Sequence, residues 1–165
     1  MTLKETIHAD IITALKSKEE LKVSVLKLIM ASVKNKEIEK RGKFAKFNPD
    51  EPAEKLLQES ELDADEMMHI LNMEVKKRKD AADQYRKGNR PELAEKEEKE
   101  ILIIKIYLPE ELTEDKVKEI IADSIAKTGA KGATDFGKVM KEVTSQVKGR
   151  ADGNMVARLV KEKLA

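Results

Sequence analysis

Residues 91–109 read PELAEKEEKEILIIKIYLP, and the state of this one stretch decides the fold class. On propensity alone its second half, Ile-Leu-Ile-Ile-Lys-Ile-Tyr-Leu, is strand-like, because β-branched and aromatic residues suit a pleated surface. Three observations favour a helix instead. The run continues a long segment of strong helix formers, Pro91 suits a first helical turn, and no second segment offers itself as a pairing strand. The spacing of Leu93, Glu97, Ile101, Ile104 and Leu108 predicts one face of a helix over 91–107, stopped by Pro109. With this segment helical, nothing in the chain reads as a strand, and the fold class is all-α.

The same signals extend outward. Thr2-x-x-Glu5 is a capping box that opens a helix with Leu3, Ile7, Ile11 and Ala14/Leu15 on one face. Ser17-x-x-Glu20 reads as a second box, opening a helix that carries Leu21, Val25, Leu28/Ile29 and Ser32/Val33 and a charged tail to Arg41. Gly42 is its expected stop. Residues 43–62, with Phe44, Phe47 and two prolines, are expected to form a loop holding a short helix near 53–60. A further helix starts near 63–66, where acids suit the positive end of the helix dipole, and presents Met68, Leu71, Val75, Arg78, Ala82 and Tyr85 before Gly88. After Pro109 three shorter helices are expected, over 113–127, 134–147 and 152–164, joined by glycine-bearing turns. The expected organisation is an N-terminal domain over 1–110, with about four helices of which two are long, and a three-helix domain over 111–165.

Composition narrows the chemistry. The 165 residues include no cysteine, which excludes disulfides and thiolate metal sites, and aromatics make up only 3%. His8 and His69 stand apart on helical segments, and no phosphate loop, nucleophile elbow or metal-binding motif is present. The residues point to no catalytic site, cofactor or metal. No run is long and apolar enough for a membrane span, and MTLKETIHAD lacks the form of a secretion signal, so a cytoplasmic protein is expected.

The formal charge of +1 conceals segregation. Residues 47–73 carry about −7 and residues 127–165 about +5. Lys138, Lys141, Ser145 and Lys148 fall on one helix face, opposite Phe136, Val143 and Val147. Arg150, Arg158, Lys161 and Lys163 continue the basic character, and Lys76-Lys77-Arg78-Lys79 forms a second cluster. Two readings of such lysines stay open here: a solubilising outer face, or a track for phosphates. With so few aromatics, any RNA contact would be to backbone and shape.

Gly137-Lys138-Val139-Met140, Lys148-Gly149-Arg150-Ala151-Asp152-Gly153, Val156 and the ending Leu159-Val160-Lys161-Glu162-Lys163-Leu164 together resemble the GatB/YqeY tail domain. That domain ends the B subunit of the glutamine-dependent aminoacyl-tRNA amidotransferase and also occurs in stand-alone YqeY-like proteins. LKLIMASVKNKEIE over 26–39 and the pattern from Val75 through Tyr85 and Arg90-Pro91 to Pro109 resemble the same family. The segment 44–61 is longer than the family pattern. The resemblance implies an all-helical protein whose tail contacts tRNA, and, by transfer, carbon–nitrogen ligase activity with glutamine as amide donor. The catalytic domain of the amidotransferase has no counterpart here. Three functional readings follow: an accessory protein binding tRNA or another structured RNA, a helical adaptor for a protein partner with Phe44/Phe47 as docking arm, and a ligase. The RNA-binding candidates are Lys138, Lys141, Lys148, Gly149, Arg150, Gly153, Arg158 and Lys161. Asp152 is expected to cap the last helix.

Overall fold

A computed structural model describes residues 1–165. It holds eight α-helices and no strand: α1 Leu3–Lys16, α2 Glu20–Phe47, α3 Ala53–Ser60, α4 Ala64–Lys87, α5 Pro91–Lys105, α6 Glu114–Thr128, α7 Phe136–Val147 and α8 Gly153–Leu164, with a single 3₁₀ turn at Ala133–Asp135 before α7. The ambiguous stretch is helix, as expected: α5 has Pro91 in its first turn and buries Ala94, Ile101 and Ile104. It ends at Lys105, two residues before the expected limit, and Ile106 and Tyr107 form a turn.

The chain forms two compact units, Met1–Leu108 and Pro109–Ala165. In the first, α1, α2, α4 and α5 enclose Ile7, Leu26, Ile29, Leu71 and Ile104, all fully shielded from solvent. Each such side chain contributes about 1.5–3 kcal/mol relative to exposure. Tyr107 closes this unit by donating a hydrogen bond to the Asp10 carboxylate. Burial and that carboxylate together push the phenol pKa up.

Charge also enters this core. Arg78 is only 6% exposed. Its Nε donates to Glu100 on α5 at 2.9 Å, and its Nη1 binds Glu74 one turn back. Ser32 on α2 donates to the other Glu74 oxygen at 3.1 Å. Burial alone would lower the guanidinium pKa, but the bonds and charges of Glu74 and Glu100 outweigh it and raise it. The helical spacing had put Arg78 on the apolar face, and the structure shows why a charge is tolerated there: two carboxylates reach it.

Several expectations about element ends are corrected. Thr2 does form the capping box with Glu5. Ser17, however, caps the C-terminus of α1, and α2 opens at Glu19 without a side-chain cap. The backbone N–H of Glu19 donates to Ala14, and Lys18 is left-handed, so the α1–α2 turn is too tight for Ser17 to serve as N-cap. Gly42 does not stop α2, which runs on to Phe47. One glycine costs a helix interior about 1 kcal/mol, less than the surrounding helix formers and the packing of α2 on α3 restore. The expected loop over 43–62 is therefore the end of α2, a short turn and α3, the last with the expected limits. Of the paired positions Ala14/Leu15 and Leu28/Ile29, Ala14 and Ile29 are buried, whereas Leu15 and Leu28 are 52% and 53% exposed.

The second unit packs α6, α7 and α8 around Val117, Ile121, Val139, Val143, Val156 and Val160. Thr113 caps α6 by accepting from Lys116 N–H at 3.3 Å. Gly129, in the left-handed region at φ 66°, ends that helix, a conformation that favours glycine. Asp152 caps α8, accepting from the N–H groups of Asn154 and Met155 at 2.9 and 3.0 Å.

Candidate nucleic-acid interface

The outer face of α7 follows from its inner one. Val139, Val143 and Val147 are buried at four-residue steps, so Lys138, Lys141 and Ser145 point to solvent on the opposite side. Lys141 is exposed and has no carboxylate partner. Lys138 is also exposed, and its Nζ donates to the Thr128 carbonyl at the end of α6 at 2.6 Å, which orients the ammonium without cancelling its charge. The neighbouring acid, Glu142, lies toward α6. Lys127 and then Gln146 bind it at 2.6 and 2.8 Å and hold its pKa below the usual range.

Lys148 ends α7 in a left-handed conformation, φ 44° and ψ 47°, while its N–H donates to Thr144 at 3.1 Å. Gly149 follows at φ 71°. The side chain of Lys148 is exposed and unpaired. A non-glycine residue costs about 1–2 kcal/mol in this region, and glycine is the usual occupant of such a helix end. Lys18 and Asn89 are the other non-glycine residues with positive φ.

The remaining candidates are committed elsewhere to differing degrees. Arg150 is half-buried. Its Nε donates to the Glu110 carbonyl at 3.2 Å, and its own carbonyl accepts from Leu112 N–H at 2.7 Å. It stitches the α7–α8 turn to the segment leading into α6. Arg158 lies 2.9 Å from Glu162 and 3.6 Å from Glu114. Glu114 is itself held below its usual pKa, first by Lys118. Lys161 stands 5.7 Å from the centroid of the Phe136 ring, a cation–π contact that leaves its charge in place. Gly153 is the first residue of α8, with open space where a Cβ would sit. The N–H groups beside it already face the Asp152 carboxylate, so this helix start does not offer a bare anion cradle.

The eight candidates thus divide. Lys138, Lys141, Lys148 and Lys161 keep uncancelled charge on the second unit, and Gly149 opens the turn beside them. Arg150, Arg158 and Gly153 serve the fold or are offset by acids. The second cluster divides likewise: Lys76 and Lys77 are exposed, whereas Arg78 belongs to the core. Sequence reasoning placed Lys163 in the basic block and passed over Lys131, and both are exposed. Nothing in local sequence separates tethered from free cations, because the partners, the Glu114 carboxylate and the Glu110 main-chain carbonyl, come from distant positions.

Other chemistry is sparse. A cleft of about 190 Å³ between α4 and α5 is lined by Lys79, Ala82, Asp83, Arg86, Glu98 and Ile101. It is smaller than the pockets of about 300–1,000 Å³ that enclose small ligands. The histidines are exposed and belong to no cluster of metal-ligating residues. No helix is long and apolar enough to cross a membrane.

Comparison with known proteins places this geometry in a family. Over 142 residues, 81% of this chain and 66% of the relative, the sequence is 30% identical to the mitochondrial "Altered inheritance of mitochondria protein 41" of Vanderwaltozyma polyspora. It is also 30% identical over 102 residues to the protein of that name in Lachancea thermotolerans, covering 62% of this chain and 46% of the relative. An uncharacterized protein of Schizosaccharomyces pombe is 32% identical over 108 residues, 66% of this chain and 73% of the relative. The matched stretch thus falls short of two thirds of the length of the first two relatives. Their names overturn the expectation of a cytoplasmic protein, since both are mitochondrial proteins. Compartment is addressed by short leader signals, and the composition and helical pattern of a folded body do not encode it. Residues 4–164 match the family described as Yqey-like protein, and with nearly the whole chain covered it belongs to the YqeY-like family, as the tail and helix motifs implied.

Proposed function

We propose that this chain binds structured RNA, with tRNA the leading candidate, through the phosphate backbone. The proposed contacts are Lys141 and Lys148 at the centre and Lys138 and Lys161 at the margins. Gly149 allows close approach, and Arg150 holds the turn in shape. Arg158 and Gly153 lie at the periphery. The observation that carries this reading is Lys148: a lysine occupies a left-handed helix end where glycine would be less strained, and its ammonium is left unpaired. Its position within the family's Lys148-Gly149-Arg150 motif supports the same assignment. Four phosphate contacts would give binding that weakens with salt at a log–log slope of roughly −3. Few aromatics are available for stacking, so discrimination would come from shape.

The test is electrophoretic mobility of tRNA across a salt series, with the parent chain and the Lys141→Glu/Lys148→Glu variant. Salt-sensitive binding that the variant loses is expected. Absence of a shift at micromolar protein and low salt, or equal binding by the variant, would overturn the proposal.

A protein adaptor is the second reading, favoured by Phe47, 84% exposed at the end of α2, and by exposed Leu57 on α3. Phe44 is half-buried, so Phe47 alone would serve as the arm. Recovery of a partner that survives ribonuclease would favour it. Ligase activity rests on resemblance to the amidotransferase tail alone. Amide formation from glutamine, ATP and mischarged tRNA by the purified chain is its direct test.

A further inference from the structure

The solvent face of α2 carries a second, differently built surface. Ser24, Leu28, Ala31, Asn35, Ile38 and Gly42 are all exposed and follow one another at alternating steps of four and three residues. This is the spacing of a helix-packing seam. Leu28 is 53% and Ile38 46% exposed, the two largest apolar groups along it. Between them Ala31 is small, and nothing lies within 4 Å of a Cβ built at Gly42. The seam covers about 27 Å of helix. It is turned away from the face that buries Val25, Leu26, Ile29 and Val33 in the core.

One flank of the seam is uniformly basic. Lys27, Lys34 and Arg41 recur every seven residues, and none has a carboxylate partner. Of the three acids on the same helix, Glu20 stands at its first position, ahead of the seam, and the other two are engaged. Glu37 binds Lys4 at 2.6 Å, and Glu39 is held between Lys36 and Lys43 at 2.9 and 2.5 Å.

We infer that this face of α2 docks an amphipathic helix of a partner protein, one with apolar residues at the same alternating spacing and acidic residues along the side that meets Lys27, Lys34 and Arg41. Charge complementarity fixes the occupant. A second copy packed antiparallel would set this cationic column against itself, and one packed parallel would meet Glu39, already held by two lysines. RNA would use the column but gain nothing from Leu28 and Ile38. This inference is independent of the RNA-binding reading, which concerns the other unit.

The test is a photo-crosslinking amino acid at Ala31 in the full chain, expressed in cells of its source organism, with mass-spectrometric identification of the attached peptide. The expected adduct is a peptide of another protein with alternating apolar spacing and net negative charge. Its yield should fall at least tenfold in the Lys27→Glu/Lys34→Glu/Arg41→Glu variant. An adduct with RNA, with a second copy or with a peptide lacking acidic residues overturns the inference, as does no adduct above a control with the group at Lys163. Circular dichroism at 222 nm verifies that the variant is folded. If it is not, the corresponding glutamine variant takes its place under the same criteria.

Discussion

Replacing Lys148 by glycine separates the stability of the turn from its use. The lysine backbone sits at φ 44° and ψ 47°, a conformation that costs a residue with a Cβ about 1–2 kcal/mol. Glycine removes that cost but brings a larger loss of chain entropy on folding, about 0.5–1 kcal/mol. The net expectation is stabilisation by roughly 0.5–1 kcal/mol. In a unit as small as Pro109–Ala165 this corresponds to a rise of several degrees in its thermal transition, at about 4–8 °C per kcal/mol. No side-chain bond is lost, because only the Lys148 backbone N–H is engaged, and glycine retains it.

The same substitution removes one proposed phosphate contact. The salt slope of tRNA binding should become shallower by about one, and affinity at low salt should fall about fivefold, equivalent to roughly 1 kcal/mol. Thermal melting by circular dichroism and mobility shift on the same preparation measure both quantities. Lys18→Gly is the matched control: it relieves the same conformation in the other unit, at φ 57°, and should leave RNA binding unchanged. If Lys148→Gly stabilises the chain and leaves affinity and slope untouched, Lys148 is a turn residue without a role in RNA binding. If it destabilises the chain, the assignment of a backbone cost to Lys148 is wrong.

Three further substitutions or conditions probe the fold. Arg78→Met leaves Glu74 and Glu100 without their cation in the core and should cost about 3–5 kcal/mol, read as a lowered denaturant midpoint. Gly42→Ala should stabilise α2 by about 1 kcal/mol by the same measurement, since the position is helical and a Cβ there meets nothing. Acid should weaken the fold through its depressed carboxylates: Lys43 and Lys36 hold Glu39 down to about 2, and Glu142 and Glu114 are also lowered. A carboxylate with a depressed folded pKa contributes its stability above the ordinary value and loses it as pH falls through the folded one, so melting temperature should decline from about pH 4.5 toward pH 2, with less effect at high salt.

Much of the fold was legible because its signals are local. Thr2 with Glu5, Pro91, Gly129 and Asp152 each act within one turn of chain, and each does in the structure what its type implies. The failures are equally local in origin. Ser17-x-x-Glu20 satisfies the capping pattern, yet the preceding helix uses Ser17 first. Gly42 has the identity of a stop but not the position of one, because its neighbours Lys40, Arg41 and Lys43 are all good helix formers and α3 packs alongside α2. A single breaker loses to a favourable stretch when tertiary contacts support that stretch.

The candidate site was legible only as a set of residue types. The three-and-four spacing placed Lys138 and Lys141 outside correctly, since that follows from where the valines of α7 must go. It could not tell Lys148 from Arg150, two residues apart and alike in charge. What separates them is long-range: the Arg150 side chain is tied to the main-chain carbonyl of Glu110, forty positions earlier, while the Lys148 side chain reaches nothing. The same holds for Arg158, offset by Glu114 across the bundle, whereas helical spacing alone sets Arg78 apart from its basic neighbours by placing it on the apolar face. A count of cations therefore overstates an electrostatic surface wherever helices bring distant acids alongside. The charge that remains after pairing is what a polyanion would meet, and on the second unit it runs along α7 from Lys138 and Lys161 at its start to Lys148 at its end, where the backbone is also strained.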